Sequence, residues 1–154
     1  MSNKHIPALW VFLVSFVFLL PGCGPDGPNM AKVVGRITVD GEPLADATVA
    51  FAPESGQRVA SALTDSTGQF ELGTFTPDDG AIVGNHRITV SARGPRRPAP
   101  GFANATSSLA PTIPGLPLIP EHYFDAGTSG LTAEVKDQRK NEINFNLSSD
   151  EEAP

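Results

Sequence analysis

The hydrophobic pattern of this chain changes character near residue 30. From Ile6 to Leu20 apolar residues run almost unbroken, whereas further on they alternate with polar ones. A period of two marks a strand with one covered face, because successive side chains point to opposite sides of a sheet. In KVVGRITVD, Val33, Gly35, Ile37 and Val39 share one face, and Val34, Arg36 and Thr38 share the other. In DATVAFAP, Ala47, Val49 and Phe51 alternate with Thr48, Ala50 and Ala52, and RVASALTD offers a weaker stripe of Val59, Ser61 and Leu63. Phe70 with Leu72, Ile88 with Val90, then Leu131, Ala133 and Val135, and finally Ile143, Phe145 and Leu147 complete the series. No helical period follows residue 30. The pattern predicts an all-β domain with seven strands in two antiparallel sheets packed face to face, with a closed barrel as the competing arrangement.

The connections fit that reading. Asp40-Gly41 closes the first strand, where glycine supplies a positive φ at little cost. Asp65-Ser66-Thr67-Gly68 reads as a four-residue hairpin loop, and Pro77-Asp78-Asp79-Gly80 opens another turn. Between Ser91 and Leu131 the alternation fails. Prolines stand at 95, 98, 100, 111, 114, 117 and 120, so an insertion at about 93–130 interrupts the domain. Loops of that length are usually functional or disordered. The first part of the insertion is expected to be mobile, and IPEHYFD to fold back onto the sandwich through Tyr123 and Phe124.

Composition sharpens the picture in two respects. With 15 Gly and 15 Pro, turns are favoured over long helices. With 11 Lys+Arg against 17 Asp+Glu, the net charge of −6 argues against nucleic-acid binding, which needs clustered basic residues. The apolar run of residues 6–20 follows Lys4 and ends at Gly22, the layout of a secretory signal over 1–22, and it is shorter than the roughly 20 residues of a spanning helix. A permanent anchor is the alternative. Cys23 is the single cysteine, so no disulfide framework exists. Residues 23–31 read as a flexible tether, 32–148 as the domain and 149–154 as an acidic tail.

Candidate chemistry is sparse. His86 starts a strand on the face of Ile88 and Val90, which fits a hydrogen-bonded residue at the sheet end. His122 lies beside Glu121 and near Asp125, but no second histidine stands at metal-ligand spacing, so no metal is expected. Asp78 and Asp79 have no calcium-loop spacing and read as turn formers. There is no G-x-S-x-G and no phosphate-cradling glycine loop, so no catalytic residues and no cofactor are assigned. Arg93, Arg96 and Arg97 form a basic cluster in a Pro/Gly setting, suited to phosphate, anionic lipid or acidic sugar, or simply solvated. Asp78, Asp79, Arg93, Arg96, Arg97, His122 and Tyr123 are the residues proposed to meet a partner.

Two resemblances complete the reading. Leu20-Pro21-Gly22-Cys23 resembles the lipobox of bacterial lipoproteins, which implies an acylated Cys23 tethering the domain to membrane lipid. Pro21 departs from the usual small residue. Gly24 is not the aspartate that retains some lipoproteins at the inner membrane, so the resemblance implies the outer membrane. VVGRITVDGEPLADATVAFAP, TDSTGQFEL, PDDGAIVGNHRITV and SGLTAEVKD, in that order, resemble the carboxypeptidase regulatory-like domains of lipid-anchored bacterial proteins. Those are small transthyretin-like sandwiches, so the implied fold is a seven-stranded antiparallel immunoglobulin/transthyretin-like sandwich with a long Pro-rich insertion. Asp46 stands where that family usually has glycine before its Ala-x-Val strand. Related collagen-adhesin B-type domains carry a Lys–Asn isopeptide bond, but Thr38 holds the lysine's position, which leaves Asn144 and Asn146 as outward polar residues. The implied function is a non-catalytic, exported interaction module of the cell envelope, with an envelope protein or polysaccharide as partner. The alternative is a lipoprotein that binds a small ligand or carbohydrate.

Overall fold

A computed structural model describes residues 27–103 and 109–150. The expectations for 1–26, Cys23 among them, and for the last residues of the acidic tail lie outside the described residues. The spine of the first sheet is β1 (Met30–Val39). Its burial alternates as the sequence predicts, with Val33 and Ile37 fully buried. One edge of β1 is covered by three short pieces in succession. These are β2 (Glu42–Pro43) at Thr38 and Val39, β5 (Gln69–Glu71) at Val34 to Arg36, and β6 (Ala81–Ile82) at Met30 and Ala31. The other edge pairs along eight positions with β11 (Lys140–Leu147), from Lys32↔Lys140 to Val39↔Leu147. The second sheet has the order β10 (Thr132–Val135), β7 (Gly84–Ser91), β3 (Thr48–Pro53), β4 (Ala60–Leu63), all antiparallel. A further pair, β8 (Arg97–Pro98) and β9 (Thr112–Ile113), stands apart.

The seven-stranded antiparallel sandwich is therefore corrected. Eleven strands form among the described residues, and β1 and β11 run parallel. Side-chain alternation specifies which face a residue takes, not the direction in which its strand pairs. First and last strands of a domain need no hairpin between them, so nothing local forbids a parallel ladder. The stripe in β4 is also reversed: Ala60 is buried, while Val59 and Leu63 are 46% and 62% exposed.

The core centres on Phe51, whose ring lies 6.2 Å from Phe70, 6.3 Å from Phe145 and 5.9 Å from the His86 ring. Gly35 permits this packing, since a Cβ there would lie 1.8 Å from the Ile143 carbonyl oxygen and 2.6 Å from the Phe70 ring. Asp46 takes the left-handed φ of 54° that its place in the turn requires.

Register also defines two poles. Asn29 and Met30 meet Val83 and Ile82, beside the start of β7. At the other end Val39 meets Leu147, and Thr48 meets Ser91, the last residue of β7. The N-terminal pole and the exit of the insertion are thus at opposite ends.

Candidate functional site

The insertion leaves β7 at the distal pole as a two-stranded arm. Leu118 N donates to Ala92 O, Gly94 N to Leu116 O and Ala99 N to Pro111 O, each at 2.9 Å, with β8 and β9 paired between. Prolines remove donors from this ladder, so the pairing is intermittent. The two halves cross tightly at Gly115, where a Cβ would sit 2.0 Å from Gly94 O. Phe102, Leu109, Leu116 and Leu118 are 44%, 91%, 61% and 58% exposed, and all four belong to the arm.

The basic cluster braces this arm. Arg93 lies 4.8 Å above the Phe124 ring and 3.4 Å from Glu121 Oε1. Arg96 donates from Nε to Thr112 Oγ1 at 2.9 Å, on the opposite half of the arm. Arg97 is exposed on β8. The return segment forms a single 3-10 turn, Glu121–Phe124. Tyr123 is buried there, and its hydroxyl accepts from Ser148 N at 3.1 Å, which pins the end of β11. IPEHYFD does fold back, with Tyr123 in the core and Phe124 packed against it. His122 stacks on Tyr123 with centroids 4.0 Å apart, and both its ring nitrogens are buried without a hydrogen-bond partner among the described residues.

Arg93 thus meets the return segment that carries His122 and Tyr123, whereas Arg96 and Arg97 lie further along the arm that leaves the same pole. Asp78 and Asp79 lie away from that pole. They precede Gly80, which packs on Ala31 near the N-terminal pole. Asp78 is an exposed turn residue with φ 62°. The Asp79 carboxylate accepts from the backbone N–H groups of Thr74 (2.6 Å), Phe75 (3.0 Å) and Thr76 (2.8 Å). Burial pushes its pKa up, but these bonds together outweigh burial and hold the carboxyl below the usual carboxylate range. Asp65 does the same in its own loop: the Thr67 hydroxyl, then the N–H groups of Gln69 and Thr67, lower its pKa. Both acids are spent on turns.

A second feature was hidden in the sequence. The outer face of the first sheet, together with β4 and the loop 74–78, bounds an open groove of about 1290 Å³. Its floor carries Arg36, Gln69, Glu142, Asn144 and Asn146, and its rim carries Leu63 and Phe75. Lys32 pairs with Glu71 at one side of the floor. Thr38 Oγ1 donates to Asn146 Oδ1 at 2.7 Å, and Gly41 N donates to the same oxygen at 3.0 Å. These residues come from segments far apart in the chain, and each reads singly as a solvated outward position. Only the paired register β5–β1–β11 reveals that they converge.

Fold and sites define an all-β, sandwich-like domain in which, among the described residues, no group of three metal-ligating side chains converges. No family model matches the chain, and no curated protein matches it. Among solved structures it is similar to a DUF3823 family protein from Parabacteroides merdae ATCC 43184, at 14% identity and a TM-score of 0.38, covering 79% of this chain and 47% of that one. It is also similar to a 9R-lipoxygenase from Cyanothece PCC8801, at 12% identity and a TM-score of 0.38, covering 78% of this chain and 16% of that one. The chain thus spans less than half of either solved chain.

Proposed function

We propose that this protein is a non-catalytic interaction module of the cell envelope, tethered to membrane lipid through an acylated Cys23, with the outer membrane as its destination. The observation that carries this reading is the arm: it extends from the pole opposite the start of β1 and exposes Phe102, Leu116 and Leu118. A tether at Cys23 would join the domain at the pole away from that arm. Exposed apolar side chains on a projecting hairpin fit a protein partner better than a polysaccharide, since they lose water-exposed apolar area against an apolar partner surface.

The test is photo-crosslinking in intact cells from residue 116 or 118 of the full chain, alongside a chain lacking 94–118 and a Cys23→Ala chain. A recurrent protein adduct whose protein co-purifies with the parent chain but not with the deleted chain supports the module. Binding retained without the arm refutes it, and unchanged membrane association of Cys23→Ala refutes the tether. A second reading, a ligand-binding lipoprotein, is favoured by the groove.

A further inference from the structure

We infer that the groove on the outer face of the first sheet binds a neutral oligosaccharide strand, with the floor residues reading its hydroxyls and the rim covering its C–H faces. This rests on the second reading above and is independent of the arm.

Unspent hydrogen-bonding capacity is the first argument. Among the described residues, the side chains of Gln69, Glu142 and Asn144 engage no partner, whereas Asn146 spends its Oδ1 and keeps its two Nδ2 donors. Arg36 uses Nε to bond Thr67 O at 2.8 Å and keeps its terminal nitrogens. Arg36 stands opposite Asn144 on one neighbour and opposite Gln69 on the other. Donors and acceptors therefore lie on a sheet grid, spaced by about 4.8 Å between strands and about 6.8 Å between alternate residues. A chain of hydroxyls, each both donor and acceptor, satisfies such a mixed array; a single-sign ligand does not.

Charge supplies the second argument. Asp65, Glu71, Asp78 and Glu142 line the groove against Arg36 and Lys140. That balance repels phosphate polymers and acidic glycans and leaves a neutral chain as the complementary ligand. The rim supplies the third. Leu63 and Phe75 are 62% and 51% exposed beside the polar floor. Arg58 lies 5.3 Å from the Phe75 centroid and covers one face of the ring, which orients the aromatic wall. Sugar rings present apolar C–H faces between their hydroxyls, and this arrangement of wall and floor matches both surfaces.

The experiment uses the full chain in detergent micelles, ¹⁵N-labelled, titrated with cellohexaose, chitohexaose and a polygalacturonate oligomer. At about 10 mM, a range that detects weak binding, one neutral hexaose should shift the side-chain amide signals of Gln69, Asn144 and Asn146. Gln69→Ala with Asn144→Ala should then weaken binding by about tenfold or more, while Leu116→Ser with Leu118→Ser should leave it within about twofold. Both groove residues are exposed, so the fold should persist; if the double variant loses its dispersed spectrum, Phe75→Ala replaces it, with the same loss expected. The inference is overturned if neither neutral hexaose moves these signals, if the anionic oligomer moves them more strongly, or if the groove variant binds like the parent. Loss of binding in the arm variant alone would likewise overturn it, without touching the protein-partner reading.

Discussion

β7 and the arm that follows it are consecutive stretches of one chain, yet they are held by different forces. β7 lies between two strands and buries His86, Ile88 and Val90 on one face. The arm has no sheet behind it. Its halves meet through a few backbone bonds, a glycine crossing and arginine braces, and its leucines face outward. Burial stabilises the first, and local geometry shapes the second. Changes in the buried face of β7 should therefore unfold the protein, whereas changes on the arm should only remove a contact.

The largest effect is expected at the centre of the core. Phe51→Ala removes a fully buried ring that three other rings contact, and it should cost about 3–5 kcal/mol in chemical denaturation. A loss near that of a surface residue would mean the two sheets are not packed through Phe51. Next come the paired glycines. Gly35→Ala drives a methyl into the Ile143 carbonyl and the Phe70 ring, and should cost about 1–3 kcal/mol or more. Gly115→Ala meets an equally close carbonyl in the arm, yet should leave the global midpoint unchanged and alter only arm amide signals. Equal midpoint shifts for both would show that arm and sandwich unfold together.

The acidic turns rank third. Asp79→Ala leaves three backbone N–H groups without their shared acceptor, of which those of Phe75 and Thr76 can turn to water, so about 1–2 kcal/mol should be lost. The depressed carboxyl also sets a pH window. Its contribution is present above the ordinary value of 3.8 and is lost as pH falls through the lower folded value. His86 adds a separate window. Burial lowers its pKa from 6.5, while the bond of Nδ1 to Gly84 O at 3.0 Å works the other way. Since a carbonyl only accepts, Nδ1 carries the proton of the neutral ring. The unfolded chain takes up a second ring proton more readily, so stability is complete above 6.5 and declines as pH falls below it. The thermal midpoint should therefore fall in two stages on acidification. His86→Asn should abolish the upper stage and keep the lower; an unchanged profile would mean that this ring is not kept neutral by burial.

Much of the sandwich could be read from the chain, because each long strand has a covered and an uncovered face. Alternation alone puts Val33, Val49, Ile88 and Leu147 inward, and all are buried. Two-residue strands such as Glu42–Pro43 and Ala81–Ile82 contain no period to read. β4 misled because its inward residues are small alanines and its larger apolar residues face out. The Arg cluster and Tyr123 were legible as neighbours in an unusual segment, but their role in bracing the return of the arm depends on contacts 16 to 28 residues apart. The groove was invisible for a different reason: an outward Asn or Gln looks alike whether it faces open water or four converging neighbours.

The smallest effect on stability is also the one that separates fold from function most cleanly. Leu118 is 58% exposed although its backbone anchors the base of the arm to Ala92. Leu118→Ser keeps that N–H donor and removes only a side chain already largely in water. Surface changes of this kind stay within about 0.5 kcal/mol, so the denaturation midpoint should not move. An apolar anchor in a protein interface, in contrast, commonly costs more than about 1 kcal/mol of binding when truncated. A crosslink yield that drops while the midpoint holds would assign the exposed leucines to partner contact. A midpoint that falls with the crosslink would instead make the arm part of the folding unit, and the contrast between β7 and its extension would disappear.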